Sequence, residues 1–200
     1  GVGDTISSLP IVEQDNKAFA GWYNGNIMVD KDYVIPDTSS ITLEPHYTTT
    51  DVSASVIKLA DDNTTLYMIS NGIEIDKDFY KYNDDTISAV YEVKKEDSSK
   101  KAWESEFSNS VTTVTIKNSF KLFKPTSMYT WFGTENSENK LTTINGLNNI
   151  DTSNVTSMSA LFKNSKLTSI DLSSWNTSSN TSMSQMLQGC TSLTSITFGN

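Results

Sequence analysis

Arginine is missing from this chain. All fifteen basic residues are lysine, against 24 acidic ones, and the formal net charge is −9. No guanidinium is present to grip a phosphate or carboxylate in bidentate fashion, and a chain this acidic repels a phosphate backbone, so no nucleic-acid partner is expected. Cysteine occurs once, at Cys190, which rules out an intrachain disulfide framework. Histidine also occurs once, at His46, with no second ligand-type residue beside it; no metal, no cofactor and no catalytic role are expected of it. No apolar run is long enough to span a bilayer. What is present is 200 residues with 36% hydrophobic content, enough for one or two domains with their own cores.

The clearest positive signal is a repeat. The phrase TSMYTWF (126–132) returns as TSMSALF (156–162) and as TSMSQML (181–187). A β-branched-rich stretch precedes each phrase: VTTVTI from 111, LTTINGL from 141 and LTSIDL from 167, with a last copy, LTSITF, from 193. Those starts are 30, 26 and 26 residues apart, and the second stretch carries one additional residue around Gly146. A catalytic motif normally occurs once, whereas a phrase recurring at a fixed period of this length belongs to stacked architecture. In LTSIDL the alternation turns Ile170 and Leu172 to one face and Ser169, Asp171 and Ser173 to the other. Met158, Leu161 and Phe162 fall at the spacing of one helical face, with Ser153 or Asn154 placed to cap the turn. Each unit thus reads as a strand plus a helical turn that buries its apolar face only by stacking on its neighbours.

The stretch LTSIDLSSWNTSSNTSMSQMLQGCTSLTSITF, with DTSNVTSMSALF before it, resembles the 26-residue repeat of BspA-like leucine-rich-repeat surface proteins, over about residues 111–200. A second, weaker resemblance covers residues 1–50: FAGWYNGN (19–26) and ITLEPHY (41–47) are similar to the Listeria–Bacteroides, or internalin B-type, repeat, whose usual first strand would lie upstream. These resemblances imply an α+β chain: a small, truncated β-grasp-like module at 1–50, a mixed α/β cap at 51–110, and a leucine-rich-repeat-like right-handed solenoid at 111–200. They imply a non-enzymatic bacterial cell-surface or secreted protein serving adhesion or protein–protein interaction, with an extracellular protein or host surface component as partner.

The residues between these regions read as strands at 55–60, 64–70 and 86–93, with turns at Asp61-Asp62-Asn63 and Asn71-Gly72, and a helix over 97–107 that turns Trp103 and Phe107 inward. Leu193, Ile196 and Phe198 are expected to form an edge that pairs with a further repeat of a longer array or with another chain.

Asp61-Asp62 and Asp84-Asp85 read as turn formers, with weak calcium binding the alternative, since no window fits a calcium-loop pattern. The sequons at Asn63, Asn154, Asn176 and Asn180 read mainly as repeat wording. Cys190 reads as a structural thiol before an apolar rung. Trp22, Trp103, Trp131 and Trp175 each sit in an apolar pattern and read as core rather than as a sugar platform. That leaves one extended candidate binding face, the polar side of the repeat strands: Thr113, Thr115, Thr143, Ser169, Asp171, Ser173, Ser195 and Thr197. It is hydroxyl-rich and poor in aromatic anchors, so a solvated ladder is its other reading. The alternative function is a carbohydrate-binding or spacer module appended to an enzyme outside this chain.

Overall fold

A computed structural model describes residues 3–37, 40–136 and 138–199. Strands dominate it: β1 (Leu9–Pro10), β2 (Ala18–Asn24), β3 (Ile27–Val29), β4 (Glu44–Thr48), β5 (Ser53–Leu59), β6 (Thr65–Asn71), β7 (Tyr80–Tyr82), β8 (Asp85–Glu92), β9 (Thr113–Ile116), β10 (Thr143–Asn145), β11 (Ser169–Leu172) and β12 (Ser195–Phe198). One α-helix, α1 (Glu104–Asn109), accompanies them among the described residues. Ten strands form one curled mixed sheet with the path β1-β7-β8-β5-β6-β2-β3; β4 pairs with β2, β9 runs parallel to β6, and β10 parallel to β9. Strands β11 and β12 form a separate parallel pair.

The middle of the sheet is buried on both faces, which suits the adjacent apolar residues Val56 and Ile57 in β5 and Leu66, Met68 and Ile69 in β6. Alternation sends Val56, Leu66 and Met68 into one core and Ile57 and Ile69 into another. The first core runs on from β5 and β6 through Trp103, Phe107 and Val114 to Phe132, Met158, Phe162 and Met186. The second gathers Ile11, Phe19, Phe79, Tyr80 and Tyr82 under the opposite face. The β5–β6 turn is held by Asp62, whose Oδ1 accepts hydrogen bonds from the Thr64 and Thr65 amides at 3.1 and 3.2 Å.

The expected fold class is corrected. Among the described residues neither a β-grasp-like module, nor a mixed α/β cap, nor a leucine-rich-repeat-like solenoid is formed; a mostly β arrangement with one six-residue α-helix replaces them. The N-terminal strand β2 hydrogen-bonds directly into the central sheet, Phe19 pairing with Asn71. The helix expected over 97–107 is confined to Glu104–Asn109, because Asp97 turns its carboxylate onto the Ser99 amide at 2.8 Å and holds an Asx turn instead. Trp103 and Phe107 nevertheless point inward, both buried. The helical turns expected around Met158 are absent for a related backbone reason: Thr130, Ala160 and Gln185, each the fifth residue of its phrase, adopt left-handed φ values of 51°, 53° and 57°. One left-handed residue breaks a helical run. Met158, Leu161 and Phe162 are still fully buried, so the phrase supplies core side chains from a stacked turn.

No helix is long and apolar enough to cross a membrane among the described residues.

Candidate functional site

The repeated phrase turns out to be a coupling device. In the first turn the amides of Met128, Thr130, Phe132 and Thr134 donate to the carbonyls of Ser157, Ser159, Leu161 and Lys163 in the next unit, at 2.9–3.2 Å. In the second turn the amides of Met158, Ala160, Phe162 and Asn164 donate to Ser182, Ser184, Met186 and Gln188, at 2.8–3.0 Å. The left-handed fifth residue bends the chain so that alternate amides keep facing the neighbouring unit. Gly133 permits a close backbone approach: a Cβ there would lie 2.1 Å from the Ala160 carbonyl oxygen.

The opening threonine has a separate job. Thr156 directs both its amide (2.8 Å) and its Oγ1 (3.0 Å) to the Thr126 carbonyl, and Thr181 does the same to Thr156 at 2.9 and 3.1 Å. Thr126 begins the series by clamping the Lys95 carbonyl. The hydroxyl adds a second hydrogen bond to the same carbonyl that the amide already meets, which apolar periodicity alone does not register. Inside, the Phe132 and Phe162 rings stack at 5.7 Å, and Phe162 stacks on Trp175 at 6.3 Å.

The candidate face is only partly brought together. Thr113 stands opposite Thr143, Ser169 opposite Ser195, and Asp171 opposite Thr197. Thr113 and Thr115 are half-buried, because β9 is also flanked by β6, whose Thr65 and Tyr67 stand opposite them. Thr143, Ser169, Asp171, Ser173, Ser195 and Thr197 are exposed. The row is interrupted: β10 ends where Gly146, at φ 81°, turns the chain away, and a cleft of about 300 Å³ opens between Ile144 and Ser169. The extra residue noted in the sequence falls at this break. Ser173 lies past the end of β11, where its amide donates to Asp171 Oδ1 at 2.9 Å. The hydrogen bonds from Ser173, side chain first and backbone second, hold the Asp171 carboxyl below the usual carboxylate range.

The remaining sequence candidates fall in separate places. His46 is exposed on β4, stacked on Tyr23 with ring centres 4.0 Å apart. Cys190 is a free, half-buried thiol that donates to the Phe162 carbonyl at 3.0 Å. Trp103, Trp131 and Trp175 are buried; Trp22 is half-buried, its Nε1 donating to the Pro10 carbonyl at 2.7 Å. No group of three or more His, Cys, Asp or Glu is gathered for a metal among the described residues.

One feature escaped the sequence reading. A groove of about 1070 Å³ lies between the segment after β3, the start of β5 and the segment joining β6 to β7. Tyr80 sits in its wall, and burial, reinforced by the Asp30 and Asp76 carboxylates, pushes its hydroxyl up to about 12. Its residues come from five strands and two loops, so no local spacing announces it.

Residues 126–197 are similar to a family described as Mycoplasma protein of unknown function, DUF285. That stretch begins at the first phrase turn and ends within β12, about a third of the chain. No curated protein and no solved structure matches this chain. The similarity suggests a bacterial surface repeat protein, a coarser statement than the BspA-like resemblance, and it names neither a ligand nor an activity.

Proposed function

We propose that this chain is a non-enzymatic part of a bacterial cell-surface or secreted repeat protein, and that it acts in adhesion through contact with an extracellular protein or host surface component. One observation carries the reading. The repeats turn their large side chains into a shared core and leave small polar side chains exposed in register on β11 and β12, beside Phe198, which is 64% exposed. An exposed strand edge with an apolar residue beside hydroxyl rows suits docking of another chain.

The test is adhesion of beads coated with the chain to host cells and to immobilised extracellular proteins. A Ser169→Lys, Asp171→Lys, Thr197→Lys variant should lose binding by about tenfold or more, equivalent to at least ~1.4 kcal/mol, with an unchanged melting temperature. Equal binding by the variant sinks the assignment of this face. The cleft between β10 and β11 supports the second reading, a small carbohydrate-binding module appended to an enzyme. A glycan array on which the chain captures one sugar class, with capture lost in Asp171→Asn, would favour it.

A further inference from the structure

Strand register places Ser53 opposite Asn71, and Ser55 opposite Ile69 and Glu92. These side chains therefore share the face that, farther along, packs Ile57 and Ile69 into the second core. At this end the apolar cover stops short and the groove of about 1070 Å³ remains. Asn71, only 2% exposed, lies on its floor. Its Nδ2 donates to the Ile73 carbonyl at 2.5 Å, while its Oδ1 has no partner. A buried amide oxygen without a donor is rare in a folded protein and marks a place where an N–H or O–H donor fits.

The charge around the groove specifies the donor. Five carboxylates line it against Lys31 and Lys77, a net charge of 2 − 5 = −3. Lys31 reaches Asp76 at 3.5 Å, and Lys77 is drawn to Asp78 at 2.7 Å, which leaves Asp30, Asp32, Glu74 and Glu92 without a lysine partner among the described residues. The carboxylates are spread along the rim and not gathered around one point, as the absence of any metal-type cluster among the described residues also records. Spread carboxylates over an apolar floor and wall, with Ile73, Phe79 and Val90 contributing, match several ammonium groups on flexible alkyl stems, not one ion.

We infer that this groove docks a lysine-bearing extended segment of a protein partner, one ammonium or backbone N–H reaching Asn71 Oδ1 and the other ammonium groups meeting the rim carboxylates. The site lies on the N-terminal part of the sheet and is independent of the polar face of the repeats, so neither result decides the other.

The experiment is titration of the intact chain with an acetylated, amidated oligolysine peptide, followed by calorimetry and by the Asn71 side-chain amide resonances. A spermine titration runs in parallel. Glu74 and Glu92 are exposed, so a Glu74→Gln, Glu92→Gln variant should fold normally. It should bind the peptide about tenfold more weakly, and the Asn71 amide signals should move on titration of the parent chain. Unchanged affinity in the variant, or shifts scattered over the acidic surface with Asn71 still, would overturn the proposal in favour of diffuse attraction. Spermine binding as tightly as the peptide, with the same shifts, would overturn the protein partner in favour of a small polyamine.

Discussion

Replacing Met158 by Asp is expected to abolish cooperative folding of the entire chain. Met158 is fully buried, in a core shared by Val56, Leu66 and Met68 of the central sheet and by Phe132 and Phe162 of the repeats. Truncating a buried methionine alone costs about 2–5 kcal/mol. Adding an unpaired carboxylate raises the total to the order of the ~5–15 kcal/mol by which a domain is stable. Because the core is shared, circular dichroism and the fluorescence of buried Trp103, Trp131 and Trp175 should lose their transitions together. Met158→Leu, close in volume, should cost less than about 1.5 kcal/mol and retain one transition. A Met158→Asp protein whose residues 3–92 melt as before would show that the sheet and the repeats are separate cores.

The second large effect is expected at Glu106. This helix residue accepts hydrogen bonds from Lys58 Nζ of β5 and from the Tyr91 hydroxyl of β8, both at 2.5 Å. The two charged side chains are 17% and 12% exposed, so the pair is largely shielded from water. Glu106→Ala strips Lys58 and Tyr91 of their shared acceptor and is expected to cost about 3–5 kcal/mol, because an uncompensated charge is left behind. Replacing both partners, Lys58→Met with Glu106→Leu, should recover most of that loss. A loss of the same size in the double variant would show that the pair itself is not the cause. The pair also sets an acid limit. Burial pushes the Glu106 carboxyl up, but the hydrogen bonds from Lys58 and Tyr91 and the Lys58 charge outweigh it, and the carboxyl titrates below its ordinary value. The folded value being the lower one, the stabilisation is complete above the unfolded value and is lost as pH falls through the folded one.

The strands were legible wherever alternation was strong. Expected boundaries of 55–60, 64–70 and 86–93 compare with the observed Ser53–Leu59, Thr65–Asn71 and Asp85–Glu92. The inward set at Met158, Leu161 and Phe162 was also legible, but not the conformation that turns it inward. Positions i, i+3 and i+4 suit a helix, and nothing in the identity of Ala160 or Gln185 announces a left-handed backbone; the ladder to the next unit imposes it. The wording at Asn164 and Gly189, two residue types that tolerate positive φ, was the available signal for a turn. The α+β architecture failed for a physical reason of scale: pairings such as Phe19 with Asn71 and Thr65 with Thr113 join segments far apart in sequence, and local pattern carries no record of them. Of the candidate face, Thr143 and the residues on and beside β11 and β12 are exposed. The half-burial of Thr113 and Thr115 follows from β6 lying alongside, again a non-local pairing.

The central claim is that the recurring phrase couples repeat units into one cooperative body and is not itself a site. Native-state hydrogen exchange of the Met158, Ala160, Phe162 and Asn164 amides tests it most directly, since each donates to the following unit. The account predicts that these four exchange only through global unfolding, with the same free energy as the Val56 and Leu66 amides of the central sheet. Exchange of the four through low-energy local opening, with the sheet amides still protected, would contradict it.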